Sequence, residues 1–213
     1  MTLAAGPFGA WLAQTRSALR GGRGAEVPCG DCTGCCTSGY SIQLRPTDRA
    51  ALEVVPEGLL EQVPGFPKDE RTLPPGPDGC CPMLVDGGCS IYARRPQTCV
   101  DYDCRIFAAA GLDAGGARMA VINRRVREWE FSYETDAERT AHEAIRAAAR
   151  FMRERRASFG ASLVPASSTG IAVFAIKAGE VFREPGIGSL DDPTIAQRIL
   201  EANRAFDRPG PDA

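Results

Sequence analysis

The sequence predicts a small α+β domain that is mostly helical, with a short hairpin and a few strands around a cysteine-rich metal site. Three observations predict it: apolar residues recur at helical spacing in several segments, a turn signal separates two short apolar runs, and eight of the nine cysteines lie in two clusters. We expect one domain over residues 1–206, with a cysteine core at 29–107 and a strand and helix part at 118–206. Residues 207–213 are expected to form a disordered tail.

The first elements follow from local patterns. Apolar residues at helical spacing from Phe8 to Leu19 predict an amphipathic helix, which two glycines end. The glycine-containing segment 29–39 is expected to be a loop, because small residues let the backbone fold tightly. Thr47 is then a candidate N-cap for a short helix.

The middle of the chain predicts turns and a hairpin. A short helical turn is expected at 56–63, and the proline-rich segment 64–79 is expected to be a loop. Apolar runs at 83–85 and 90–92 flank Asp-Gly-Gly, a typical hairpin signal. Residues 97–110 are expected to form one helix, which would place two cysteines on neighbouring faces.

The C-terminal half contains strand-like and helix-like sequence patterns in turn. Polar and apolar residues alternate from Trp129, which indicates a strand, and 171–176 is expected to be a second strand. Thr135 and Glu138 match a capping box that opens a long helix through about Arg156. A last helix is expected from Asp192, before the Pro/Gly tail.

Composition and charge argue against nucleic-acid binding, membrane binding and secretion. The net charge of −2 and pI near 5.6 give no global attraction to nucleic acid or an anionic membrane, so neither partner is expected. No segment reaches the ~18 to 20 apolar residues of a membrane helix. The N-terminus carries no charge pattern of a secretory signal, so a cytoplasmic location is expected. Thiols stay reduced there, which favours metal or redox roles over disulfides.

The cysteine spacing indicates metal binding. Several thiolates share one centre only when a cation or an iron–sulfur core offsets their repulsion, and two-residue spacers let successive sulfurs reach one ion. The candidate ligands are eight cysteines: Cys29, Cys32, Cys35, Cys36, Cys81, Cys89, Cys99 and Cys104. We expect the first cysteine segment and the segment from 81 to 104 to be brought together over metal. Cys80 is supernumerary. His142, the only histidine, is left out of the site, because a lone helical histidine is more often a surface or packing residue.

These residues carry a family resemblance. The run Cys29-x2-Cys32-x2-Cys35-Cys36, followed by Cys-Pro-x-Leu at 81–84 and Cys-Ser-Ile-Tyr-x2-Arg-Pro-x2-Cys at 89–99, resembles the YkgJ-type CxxCxxCC proteins. These are described as zinc- or iron-chelating domains. The resemblance spans about residues 29 to 107 and implies a cysteine-rich metal domain.

Arg95 belongs to the motif that carries the resemblance. It would place a positive charge near the sulfurs and hold an anionic cluster, or else form a surface ion pair with Asp101 or Asp103. The family usually has arginine directly after the cysteine that follows Arg-Pro, whereas this chain has Val100.

The identity of the metal stays open between an iron–sulfur cluster and zinc. The ferredoxin-like Cys-x2-Cys-x2-Cys run and the Cys-Pro pair favour iron–sulfur. The predicted function is a metal-binding protein of redox, sensing or maturation type. The alternative is an enzyme whose incompletely ligated metal acts on a protein or small molecule. The partner would be a protein or a small molecule that the sequence does not identify.

Overall fold

The chain divides into two compact units in the computed structural model. The helical unit comprises Met1–Gly22, Cys104–Gly115 and Val126–Ala213, and the cysteine unit comprises Arg23–Asp103 and Gly116–Arg125. The structure describes residues 2–22, 24, 27, 30–62, 64–65, 67–160 and 164–208. Helices dominate and the strands are few and short, so the predicted α+β class is confirmed.

In the residues that the structure describes, the helical unit combines one small parallel sheet with five helices. Strand β1 (Leu3–Pro7) pairs with β6 (Trp129–Ser132), with an irregularity between Ala4 and Gly6. The helices are α1 (Phe8–Ala18), α4 (Arg105–Ala110), α6 (Asp136–Glu154), α7 (Ser168–Ala178) and α8 (Asp192–Phe206). Strand β1 was not predicted, and β6 confirms the alternation that begins at Trp129.

Side-chain caps explain where the two longest helices begin. The Thr135 hydroxyl accepts the Glu138 backbone N–H at 3.2 Å, so the predicted capping box marks the start of α6 correctly. The Asp191 carboxylate accepts the Thr194 N–H at 2.9 Å and caps α8. Both helices bury one face, and the predicted first helix is likewise confirmed as α1.

The predicted strand at 171–176 is wrong, because these residues lie inside helix α7. The Ser167 hydroxyl caps this helix by accepting the Gly170 N–H at 3.1 Å. The helix packs against α4, α6 and α8, so it is apolar on most sides. A short apolar run of this kind does not distinguish a buried helix from a buried strand by periodicity.

The cysteine unit is built from short elements. Its strands are β2 (Ile42–Leu44), β3 (Arg71–Leu73), β4 (Leu84–Val85) and β5 (Gly88–Cys89), and its helices are α2 (Arg49–Leu52) and α3 (Gln97–Asp101). Helix α5 (Ala120–Glu128) begins in this unit. The core is small and contains Leu44, Ala51, Val55, Leu73 and Ile91. The predicted hairpin is confirmed as β4–β5, with positive φ at Asp86 and Gly87. Its second strand is Gly88–Cys89, so the apolar run at 90–92 follows the hairpin and does not form part of it.

Three local predictions differ from the structure. The loop expected at 64–79 contains β3, which pairs antiparallel with β2. Asp48, not Thr47, is the N-cap of α2. The single helix expected at 97–110 is two helices, α3 and α4, because Tyr102 adopts an extended conformation with ψ 116°. Cys99 and Cys104 therefore do not share a helix.

The remaining predictions concern the helical turn at 56–63 and the ends of the chain. A 3-10 turn forms at Glu57–Leu59, whereas Val63 lies outside the described residues. Residues 209–213 of the expected tail also lie outside them. Among the helices that the structure describes, none is long and apolar enough to cross a membrane.

Candidate metal centre

Among the described residues of the cysteine unit, six cysteines line one cavity of about 230 Å³. Cys32, Cys35 and Cys36 come from the first cluster, and Cys81, Cys89 and Cys99 come from the second. The two segments meet directly, because the Cys81 backbone N–H donates to the Cys36 carbonyl at 2.6 Å. The expected approach of the two cysteine segments is therefore confirmed.

Local hydrogen bonds fix the first segment. The Gly34 N–H donates to Cys32 Sγ at 3.4 Å, and the Ser38 hydroxyl donates to the Gly34 carbonyl at 2.6 Å. A Cβ at Gly34 would lie 3.1 Å from Ile122 Cγ1, so glycine permits this close approach. Cys35 begins a short 3-10 turn, Cys35–Thr37, within the segment expected to be a loop.

Side-chain bonds around α3 position Cys99. The Thr98 hydroxyl donates to the Gln43 carbonyl at 2.7 Å, which ties α3 to β2. The Gln97 backbone N–H donates to the Asp48 carboxylate at 2.8 Å. These bonds anchor the first turn of a five-residue helix that could not form in isolation.

The thiols are crowded and poorly hydrated. The pKa of Cys99 is raised to about 12, chiefly by burial. The interactions with Cys81, Cys36 and Cys89 contribute to this rise, and the Arg95 guanidinium opposes it. Burial also raises the pKa of Cys81, and the charge of Cys89 adds to the rise. At neutral pH Cys99 and Cys81 are therefore neutral thiols, and a cation is needed to make them thiolates.

Arg95 lines the same cavity, in agreement with the expectation that its positive charge lies near the cysteine sulfurs. Its guanidinium lies 4.0 Å from the centre of the Tyr92 ring, and Nη1 donates to the Tyr92 carbonyl at 2.9 Å. Asp101 was one expected partner of Arg95 in the alternative surface ion pair. Its carboxylate accepts hydrogen bonds from the Gln97 side-chain amide at 2.7 Å and from the Gly24 N–H at 3.1 Å.

Two described cysteines, Cys80 and Cys104, stand apart from this set, and Cys29 lies outside the described residues. Cys104 belongs to the helical unit, where it is buried and Sγ accepts the Trp129 indole N–H at 3.2 Å. Cys80 is not among the described residues that line the cavity, and its N–H donates to Asp78 at 2.9 Å. The assignments of Cys29 and Cys104 as ligands stay predictions.

The sequence did not indicate the tyrosine pair at this cavity. The rings of Tyr40 and Tyr102 lie 5.4 Å apart and their hydroxyl oxygens 3.3 Å apart. Both residues line the cavity. Tyr102 lies between two cysteines of the second cluster, but no local pattern pairs it with Tyr40, which is 62 residues away in sequence.

The donor set fits a soft metal. Thiolates select zinc or iron–sulfur clusters over hard cations such as Mg²⁺. In the described part of the chain, however, no three His, Cys, Asp or Glu side chains are arranged to hold an ion. The cysteine sulfurs share the cavity, but they must move closer together to coordinate a metal. Their protonated, neutral state agrees with this wider spacing.

Comparison with known proteins supports metal binding by this part of the chain. The CxxCxxCC family, described as "Putative zinc- or iron-chelating domain", matches residues 28–124. The match confirms the resemblance read from the cysteine spacing. No curated protein matches the sequence, and no solved structure matches the chain.

Proposed function

We propose that the cysteine unit binds an iron–sulfur cluster and serves a redox, sensing or maturation role. The observation that carries this proposal is the convergence of six cysteines from two distant segments on one cavity. The family match to a zinc- or iron-chelating domain supports it. Zinc is the alternative metal.

The number of thiols and the size of the cavity favour a cluster over one zinc ion. A structural zinc site needs four ligands, whereas six cysteines line this cavity. A site that holds one water molecule needs only ~10 to 15 Å³, far less than the 230 Å³ found here. Several atoms of metal and sulfide would fill this space better than a single ion.

The vicinal pair Cys35 and Cys36 supports the same proposal. Neighbouring side chains point in different directions, so such a pair serves two metals or two edges of one larger centre more easily than one ion. Both residues line the cavity. This arrangement favours a polynuclear centre.

Other residues of the chain have defined parts in this proposal. Cys32, Cys35, Cys36, Cys81, Cys89 and Cys99 would hold the centre. The Gly34 N–H would stabilise charge on Cys32 sulfur, and Arg95 would offset the negative charge of the thiolates. When bound, an iron–sulfur cluster supplies one-electron redox chemistry.

Anaerobic purification tests the proposal. A brown protein with visible absorption and about as much acid-labile sulfide as iron is the expected result. A colourless protein with stoichiometric zinc and no sulfide would refute the cluster and leave the zinc alternative. Protein that binds neither metal after reconstitution would refute both.

A second candidate is a metal-dependent enzyme that acts on a protein or small molecule. The Tyr40 and Tyr102 hydroxyls at the cavity favour it, because such groups hydrogen-bond or donate protons to a substrate. This chemistry also needs an open coordination position. A spectral change when a small exogenous ligand such as cyanide binds the loaded metal would support the enzyme. A metal fully capped by cysteine would contradict it.

A further inference from the structure

Part of the wall of the cysteine cavity is bare backbone. Gly87 and Gly88 of the β4–β5 hairpin line the cavity, and both are exposed. Apart from the adjoining residues, a Cβ at Gly87 would have no atom within 4 Å, and a Cβ at Gly88 would meet only the Val85 carbonyl oxygen at 4.0 Å. Cys89, a proposed ligand, is the next residue. Solvent therefore reaches the backbone directly beside the proposed centre.

Strand geometry determines which way a side chain at position 88 would point. Successive residues of a strand face opposite sides, and directly paired residues face the same side. Cys89 lines the cavity, so position 88 faces away from it, on the same side as its partner Val85. Val85 is 52% exposed and is not among the described residues that line the cavity. A side chain at position 88 would thus project outward and would not enter the cavity.

Exposed apolar side chains flank this wall. Three large apolar side chains are exposed in the described part of the chain: Leu59, Val85 and Tyr92. Val85 pairs with Gly88 across the hairpin, and Tyr92, 47% exposed, lines the cavity together with Gly87 and Gly88. Single exposed apolar residues are ordinary on a protein surface, but two of these three lie at one cavity wall. We name Val85, Gly87, Gly88 and Tyr92 the hairpin face.

The charges beside the hairpin face favour an acidic partner. The Arg95 guanidinium lies 4.0 Å from the centroid of the tyrosine ring of this face. Arg94 is exposed and forms no ion pair with any described residue. Asp86, at the turn of the hairpin, opposes them with one carboxylate, whereas Asp31 of the cavity wall pairs with Arg125 at 3.4 Å. Carboxylates on a partner would therefore complement the two guanidiniums.

We propose that the hairpin face docks an acidic one-electron carrier protein, which passes one electron to the centre. The inference rests on the proposed function, because only a redox-active centre can accept the electron. The reduced cofactor of the carrier loses one electron and the cluster gains it, and no covalent bond forms or breaks. The carrier contacts the backbone wall with an apolar surface and places carboxylates opposite Arg94 and Arg95. Electron-transfer contacts are typically small and transient, which suits a face with two apolar side chains.

Stopped-flow reduction of the cluster-loaded chain tests the hairpin face. Reduced flavodoxin, an acidic carrier, is mixed anaerobically with the oxidised protein, and the bleaching of the cluster is followed. Gly88→Gln should slow this reaction at least about tenfold, because the added side chain separates the carrier from the wall. The variant should keep the visible spectrum and the reduction potential of the wild type.

Gly58→Gln is the matched control for the added side chain. Gly58 is exposed, a Cβ there would have no atom within 4 Å, and the residue precedes the exposed Leu59. It is not among the described residues that line the cavity. This variant should accept electrons at the wild-type rate.

A charge reversal tests the acidic character of the partner. Arg94→Glu should slow the reaction about tenfold at low ionic strength, and its rate should depend less on salt than that of the wild type. Arg150→Glu changes the net charge equally at an exposed position of the helical unit. It should keep the wild-type rate.

The different failures of this experiment are distinguishable. A chain that holds no cluster after reconstitution would overturn the proposed function and this inference together. A brown protein whose Gly88→Gln variant is reduced at the wild-type rate would overturn the hairpin face alone. Equal slowing in Arg94→Glu and Arg150→Glu, or a wild-type rate that increases with salt, would overturn the acidic partner.

Discussion

The two units differ in what can stabilise them. The helical unit contains helices of up to 19 residues and fully buried side chains such as Phe8, Met152 and Ile199. In the cysteine unit the strands have two or three residues, and helices α2 and α3 have four and five. Elements this short gain little from local hydrogen bonds. The cysteine unit therefore needs a further source of stability.

A metal can be that source, because free energy of metal binding becomes free energy of folding where no ligand set exists in the unfolded chain. One core cluster of the cysteine unit contains five buried residues among those described, and Cys81 and Cys89 pack against it. The proposed ligands and the apolar core thus pack against each other. The helical unit carries no such dependence in this account.

Loss of one ligand should have the largest effect. Cys99→Ser should lose metal and unfold the cysteine unit locally, because the binding energy of structural metal sites is on the order of 10 kcal/mol. Cys32→Ser should act in the same way. Metal analysis and circular dichroism of each variant measure this. Full metal content in both variants would show that neither residue is a ligand.

Core truncations should separate the units. Met152→Ala should destabilise the helical unit by about 2 to 5 kcal/mol without changing metal content, because Met152 is fully buried there. Leu73→Ala should cost a similar amount but also weaken metal binding, because Leu73 lines the cysteine cavity. Urea denaturation and metal titration check both. Loss of metal from Met152→Ala but not from Leu73→Ala would contradict this difference between the two units.

Acid should weaken the helical unit through His142. Burial lowers the folded-state pKa of His142 to about 4, below its usual 6.5. The resulting stability is present above pH 6.5 and is lost as the pH falls through about 4, by roughly 2 kcal/mol after solvent screening. Urea denaturation at pH 7 and 4 measures it. An unchanged pH dependence in His142→Gln would argue against this cause.

Replacement of the supernumerary thiol should have the smallest effect. Cys80→Ser should retain the metal and change the free energy of unfolding by less than about 0.5 kcal/mol. Serine preserves the backbone N–H that donates to Asp78. The variant is also the matched control for Cys99→Ser. Metal loss here would make Cys80 a ligand.

The sequence predicted features set by local chemistry. The Thr135 cap, the Asp86-Gly87 turn and the first helix were correct because each depends on neighbouring residues. The approach of the two cysteine segments was predicted because a shared metal requires it. Other features depended on tertiary contacts. Helix α7 was mistaken for a strand because burial on most sides removes its periodicity.

The remaining differences have the same origin. Tyr102 breaks the helix expected at 97–110, and no proline or glycine marks that break in the sequence. The break places Cys104 at the N-cap of α4, where it accepts a bond from Trp129.

Hydrogen exchange before and after metal removal measures whether metal binding stabilises the cysteine unit and not the helical unit. In the metal-loaded protein both units should be protected. After anaerobic chelation, amides of residues 30–103 should lose most of their protection, whereas amides of α6 and α8 should keep theirs. Protection of the cysteine unit that does not change on metal removal would contradict the account.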